Sequence, residues 1–109
     1  MPRDTQINTT GLVTRTRGDV DRSITSLTGS SQSLLGSGID QRLRKRIIFK
    51  NGPAIAAINL NGGTAAVGGA DCITLQPYEG LALDGKDCPM TAVTVIGTAA
   101  QYFGCYEGF

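Results

Sequence analysis

The chain has 109 residues, a formal charge of +1 and no histidine, which is room for one domain. The missing histidine removes the commonest general base, the commonest metal ligand and every Ser–His or Cys–His pairing. No apolar run approaches a membrane span and residues 1–10 lack the apolar centre of a secretory signal, so the expectation is a protein made in a cytosol that stays there or leaves by lysis.

The small net charge hides a split. Residues 1–50 carry nine Lys/Arg and four Asp/Glu, whereas residues 51–109 carry one Lys and five Asp/Glu. A basic leading half on an acidic body favours arm-to-neighbour or head-to-tail contacts, with nucleic acid as a second partner class.

In chain order, residues 1–41 read as an extended N-terminal arm. Their larger apolar residues, among them Ile7, Leu12, Ile24, Leu27, Leu34 and Leu35, are scattered between Thr, Ser, Gly and Arg. Such a segment buries too little to offset its own ordering entropy. Within it, residues 22–28 suggest a strand, 33–35 a short apolar piece and 39–45 a helical turn.

Residues 42–109 are assigned to one β domain. Arg46-Ile47-Ile48-Phe49-Lys50 is β-branched and aromatic, and Asn51-Gly52-Pro53 is a turn signal. Further strands are expected over 54–60, 64–67, 72–76, 80–83, 91–96 and 101–106, punctuated by Asn61-Gly62-Gly63, Gly68-Gly69, Pro77, Asp84-Gly85 and Gly97. Short strands with turns about every 8–12 residues predict an all-β fold: a compact antiparallel β-sandwich or small barrel, jelly-roll-like, carrying the arm. A body of about 65 residues buries only about 60% of its unfolded surface, so a partner subunit would help it.

Candidate chemistry is sparse. Cys72, Cys88 and Cys105 are sixteen and seventeen residues apart with no histidine, which fits no zinc signature. They read as buried thiols, or as a disulfide within or between chains formed in an oxidising medium. The odd count leaves at least one over. Asp84-Gly85-Lys86-Asp87 lacks the spacing of a calcium loop. The stretch 62–69 has glycines but no following Lys-Ser/Thr and opens no helix, so it reads as a turn and sheet corner rather than a phosphate loop. Arg17-Gly18-Asp19 and the sequon at Asn8 are too short to carry weight.

The densest feature is the basic junction Arg42, Arg44, Lys45 and Arg46, joined by Arg15, Arg17 and Arg22 of the arm. These are the candidate partner-binding residues, since arginine pairs well with carboxylates on a neighbour. A solvated charge run and a nucleic-acid surface are the alternatives, and the second lacks interleaved aromatics. No catalytic residue, metal, cofactor or small-molecule substrate is expected.

The body resembles small virion proteins of tailed bacteriophages. The resemblance runs from Lys45-Arg46 into Ile47-Ile48-Phe49-Lys50-Asn51, through Ile55-Ala56-Ala57-Ile58-Asn59, Gly62-Gly63-Thr64-Ala65 and Ile73-Thr74-Leu75-Gln76-Pro77 with Glu79-Gly80, to residues 92–99. It implies a non-enzymatic decoration or cement protein on the virion capsid surface, made in the host cytoplasm. Its partners would be the major capsid protein and copies of itself, with no membrane and nucleic acid unlikely. A tail, neck or fibre-base component is the alternative within that class, and a small glycan- or nucleic-acid-binding module the alternative outside it. Forty extended residues could reach up to roughly 130 Å, far enough to cross a subunit boundary.

Overall fold

In the computed structural model the described residues are 20–36 and 44–109. Residues 46–51 show how the sheets are made. Every second side chain of this strand, Ile47, Phe49 and Asn51, is buried, and the intervening Ile48 and Lys50 are exposed, the period-2 pattern of a strand with one face on a core.

Eight strands follow in chain order: β1 (Val20–Asp21), β2 (Gln32–Leu35), β3 (Arg46–Asn51), β4 (Ala56–Asn59), β5 (Cys72–Leu75), β6 (Gly80–Asp84), β7 (Val93–Ile96) and β8 (Phe103–Gly108). They form two antiparallel four-stranded sheets, ordered β1-β8-β3-β6 and β2-β7-β4-β5. The fold is therefore an all-β sandwich, and its strand order is that of an eight-stranded jelly roll. A 3-10 turn over Gly85–Asp87 follows β6.

The core lies between the sheets. Ile47, Phe49, Phe103 and Cys105 of the first sheet meet Ala56, Ile58, Leu75, Val93 and Val95 of the second. The rings of Phe49 and Phe103 sit 6.2 Å apart, tilted by 49°, a geometry that adds about 0.5–1.5 kcal/mol beyond burial.

Two sequence expectations need correction. The boundary between arm and body is not at residues 41–42. Val20 and Asp21 pair with Glu107 and Tyr106, and Gln32, Ser33 and Leu35 pair with β7. Leu27, Leu34 and Leu35 are buried in the common core. Their partners come from the last third of the chain, so local sparseness of apolar residues did not reveal them. Residues 22–28 form no strand of their own; Ile24 makes one isolated bridge to Phe103.

The other correction concerns residues 61–70. Residues 64–67 are not a strand, because Gly62 and Gly68 take left-handed backbone at φ +79° and +74° and turn the chain. The segment lies as a strap across the outer face of the second sheet. Asn59 Nδ2 donates to Thr64 O (3.2 Å), Thr94 Oγ1 to Gly63 O, and the Ala65 and Gly68 N–H groups donate to Ser31 Oγ and Thr74 Oγ1 at 2.9 and 3.1 Å. Ala57 and Ala65 are both buried. Among the described residues no such segment covers the outer face of the first sheet.

Deleting residues 1–19 is expected to leave a cooperative thermal unfolding transition with the melting temperature little changed. Deleting residues 1–36 removes two strands and three buried leucines, each worth about 2–5 kcal/mol against alanine, and the product should show no cooperative transition by circular dichroism.

Candidate functional site

One end of the sandwich gathers the basic junction. β1 and β3 begin there, and β6 and β8 end there, because Arg46 is paired with both Asp84 and Gly108, and Val20 with Glu107. The Arg44 guanidinium touches Gly36 at the exit of β2. Val20, Gly36 and Arg44 thus all lie at this one end.

Arg44 is the organising residue. Its side chain is 0% exposed. Nε donates to Glu107 Oε2 at 2.7 Å, Nη1 to the carbonyls of Pro89 and Thr91 at 2.8 and 3.0 Å, and Nη2 to the Gly36 carbonyl. Glu107, also buried, accepts a second bond at Oε1 from Nε of Arg22 at 3.1 Å. One carboxylate therefore holds two guanidiniums, and one guanidinium ties β8, the residues before β7 and the end of β2 together. The planar fork of arginine suits such a multiply bonded, dry position better than a lysine would.

This corrects the reading of Arg44 as a partner-binding residue. A side chain with no exposed surface and four acceptors inside its own fold is a strut. Arg22 is also engaged internally, though its side chain remains 46% exposed. Lys45 is exposed and Arg46 half-buried. Lys45 is fixed through its backbone: its N–H donates to Gly108 O at 2.8 Å, and its carbonyl accepts from Gly85 N at 3.0 Å. Lys45 and Arg46 line an open recess of about 500 Å³ with Asp84, Gly85, Gly108 and Phe109. Arg15, Arg17 and Arg42 lie outside the described residues, as do the Arg-Gly-Asp string and the Asn8 sequon.

The cysteines are all free thiols. Cys105 and Cys88 are buried in the core. Cys72, on β5, is half-buried and its sulfur accepts from the Ala66 N–H at 3.4 Å under the strap. Burial, reinforced by the Glu107 carboxylate, pushes the Cys105 thiol up to about 12; burial also raises Cys88. These are inert positions for a nucleophile. Among the described residues, no three Cys, Asp or Glu side chains converge as metal ligands, and no helix is long and apolar enough to cross a membrane.

No protein-family model, no curated protein and no solved structure matches the chain.

Glu107 was the residue that sequence reading missed. It was one of five scattered acidic residues, and its partner Arg44 lies 63 positions away.

Replacing Arg44 by methionine leaves Glu107 buried with only Arg22, at an expected cost of about 3–5 kcal/mol in urea unfolding. The double variant Arg44→Met, Glu107→Leu should recover much of it, while Arg22→Ala should cost no more than about 1 kcal/mol.

The Cys105 thiol adds a pH dependence. Its folded value is raised above the unfolded one, so its contribution is complete below pH 9.0 and is lost as pH climbs toward about 12, at roughly 1.4 kcal/mol per pH unit. Urea midpoints measured across that window should fall less steeply in Cys105→Ala. Alkylation of the native protein should label Cys72 and spare Cys105.

Proposed function

We propose that the chain is a non-enzymatic structural protein of a tailed-phage particle, a capsid decoration or cement protein. In this reading the jelly roll is a rigid plug, and its basic end is the attachment end. The arm and the basic junction bind acidic surfaces of neighbouring major capsid subunits and of sister copies, and the protein acts as a homo-oligomer on the virion surface. Nothing turns over; the free energy comes from burial, strand addition and arginine–carboxylate pairs, multiplied by the many copies on one particle.

The observation that carries this reading is the convergence at one end. Val20, Gly36 and Arg44 all lie at that end, beside Glu107. The segments that attach at those points hold Arg3, Arg15, Arg17 and Arg42, and Lys45 and Arg46 sit beside them. A scaffold that fixes its own core with Arg44 and carries Lys45 and Arg46 at the end where residues 1–19 and 37–43 join it suits docking onto an acidic neighbour. The double-sheet jelly roll also hosts viral capsid domains, which is support by fold analogy alone.

Particles assembled without the protein should form but break at lower temperature or under milder osmotic shock than complete particles. A protein lacking residues 1–19 should fold and fail to join them, and Lys45→Glu with Arg46→Glu should weaken joining. Equal robustness of particles with and without the protein would contradict the cement role.

A further inference from the structure

The outer face of the first sheet carries Tyr106, with Tyr102 and the turn residue Tyr78 beside Gly52 at its edge. Strand register lays it out in rows. Arg46 of β3 stands between Gly108 and Asp84, Ile48 between Tyr106 and Ala82, and Lys50 between Gly104 and Gly80. Asp21 of β1 flanks Tyr106. One row further on, Tyr102 and Tyr78 flank Gly52. Tyr78 N–H donates to Gly52 O at 2.9 Å, and a Cβ on Gly52 would lie 3.6 Å from the Tyr102 ring. Tyr102 precedes Phe103, whose ring is in the core, so strand alternation turns Tyr102 to the outer face with Tyr106.

The three rings are open to solvent: Tyr78 is 57%, Tyr102 48% and Tyr106 46% exposed. Gly80, Ala82 and Gly104 lie on the same face, while Gly52 and Gly108 are buried. Tyr102 and Tyr106 are separated by about 13 Å along the strand, and Tyr78 lies two strand spacings, about 10 Å, from Tyr102.

The positions are held by costly means. Tyr78 takes left-handed backbone, φ +62°, which a bulky side chain rarely adopts. Its carbonyl accepts from Lys50 Nζ. Beneath it Asn51, 1% exposed, donates through Nδ2 to Ala54, Leu75 and Gln76 carbonyls and accepts from Gly52 N–H. Gly52 cannot be replaced, since a Cβ would fall 2.5 Å from the Tyr102 carbonyl oxygen. Strain and a buried polar hub are thus spent on an exposed aromatic turn.

The geometry points to a binding face for a neutral saccharide chain. Tyrosine rings offer flat apolar surface with a polar tip, which suits the C–H faces of a pyranose. The surrounding groups are two cations, Arg46 and Lys50, and two carboxylates, Asp21 and Asp84. Together they can both donate to and accept from hydroxyl groups, and their charges cancel. A polyanion such as single-stranded nucleic acid needs a cationic track instead. Ile48, 38% exposed, adds one aliphatic side chain between Tyr106 and Ala82, and Gly80 and Gly104 leave room on either side of Lys50. This face adjoins the basic end through Arg46, Asp84 and Gly108, but its tyrosines lie further along the sheet and its role does not rest on the capsid reading.

The test uses the full chain and its own fluorescence. With no tryptophan in the sequence, tyrosine emission reports this face alone. Malto-, cello-, xylo- and chito-oligosaccharides are titrated in turn, with oligo-dT as the polyanion control. The expected result is a saturable emission change with at least one of the four that does not depend on salt. It should weaken about tenfold, one ring's worth of burial, in Tyr102→Ala and in Tyr106→Ala. Gly80→Thr should weaken it too while keeping every tyrosine, because a Cβ there meets its neighbours at 3.5 and 3.9 Å, ordinary contact; the melting temperatures of all three variants should match the parent. Absence of binding to all four saccharides overturns the inference, as does binding that these variants leave intact. Salt-steep binding of oligo-dT in place of the sugars, or concentration-dependent self-association abolished by Tyr106→Ala, would overturn it in favour of nucleic acid or of a second copy.

Discussion

The buried pair of Arg44 and Glu107 is the constraint on which the rest of the molecule depends. Two charges have left water, and only the completeness of their bonding makes that tolerable. Glu107 uses both oxygens on two arginines, and Arg44 spends Nε, Nη1 and Nη2 on four groups from three separate stretches of chain. Hydrophobic burial alone would hold the two sheets face to face without fixing how their ends meet. The arginine fork fixes that end by joining β8 of the first sheet to the exit of β2 and the approach to β7 of the second. The same bonds fix Gly36 and Arg44, the two residues on either side of 37–43, at one end of the sandwich.

Much of the fold was legible from local pattern. β3, β5, β6, β7 and β8 follow alternation or β-branched runs between turn residues, and each was anticipated to within about three residues. β1 and β2 were not, because the side chains that make them worthwhile, Leu27, Leu34 and Leu35, have partners in β7 and β8 and no local periodicity. The strap was misread for the opposite reason. Thr64-Ala65-Ala66-Val67 has strand-like composition, but two left-handed glycines and anchors from Asn59, Thr74 and Thr94 lay it across a sheet.

The candidate sites divide along the same line. The basic run was visible, but a row of adjacent cations does not say which one turns inward; Arg44 did, while Lys45 stayed outside. The tyrosine face had a readable signal that composition obscured. Tyr102, Gly104 and Tyr106 alternate with buried Phe103, Cys105 and Glu107, so two rings flank a glycine on one side of this stretch. Tyr78 joins them only through the three-strand register at Gly52. The molecule thus presents two different surfaces. Its basic end is rigid, charged and continuous with the remaining chain, and its open sheet face is aromatic and electrically balanced.

The central claim is that the basic end is the attachment end. Imaging intact particles by electron cryomicroscopy, with the jelly roll fitted as a rigid body, tests it most directly. Density for the protein is expected at boundaries between capsid subunits, with Lys45 and Arg46 toward the shell and Tyr78, Tyr102 and Tyr106 toward solvent. Particles that lack this density, or that bury the tyrosine face against the shell with the basic end pointing away, would contradict it.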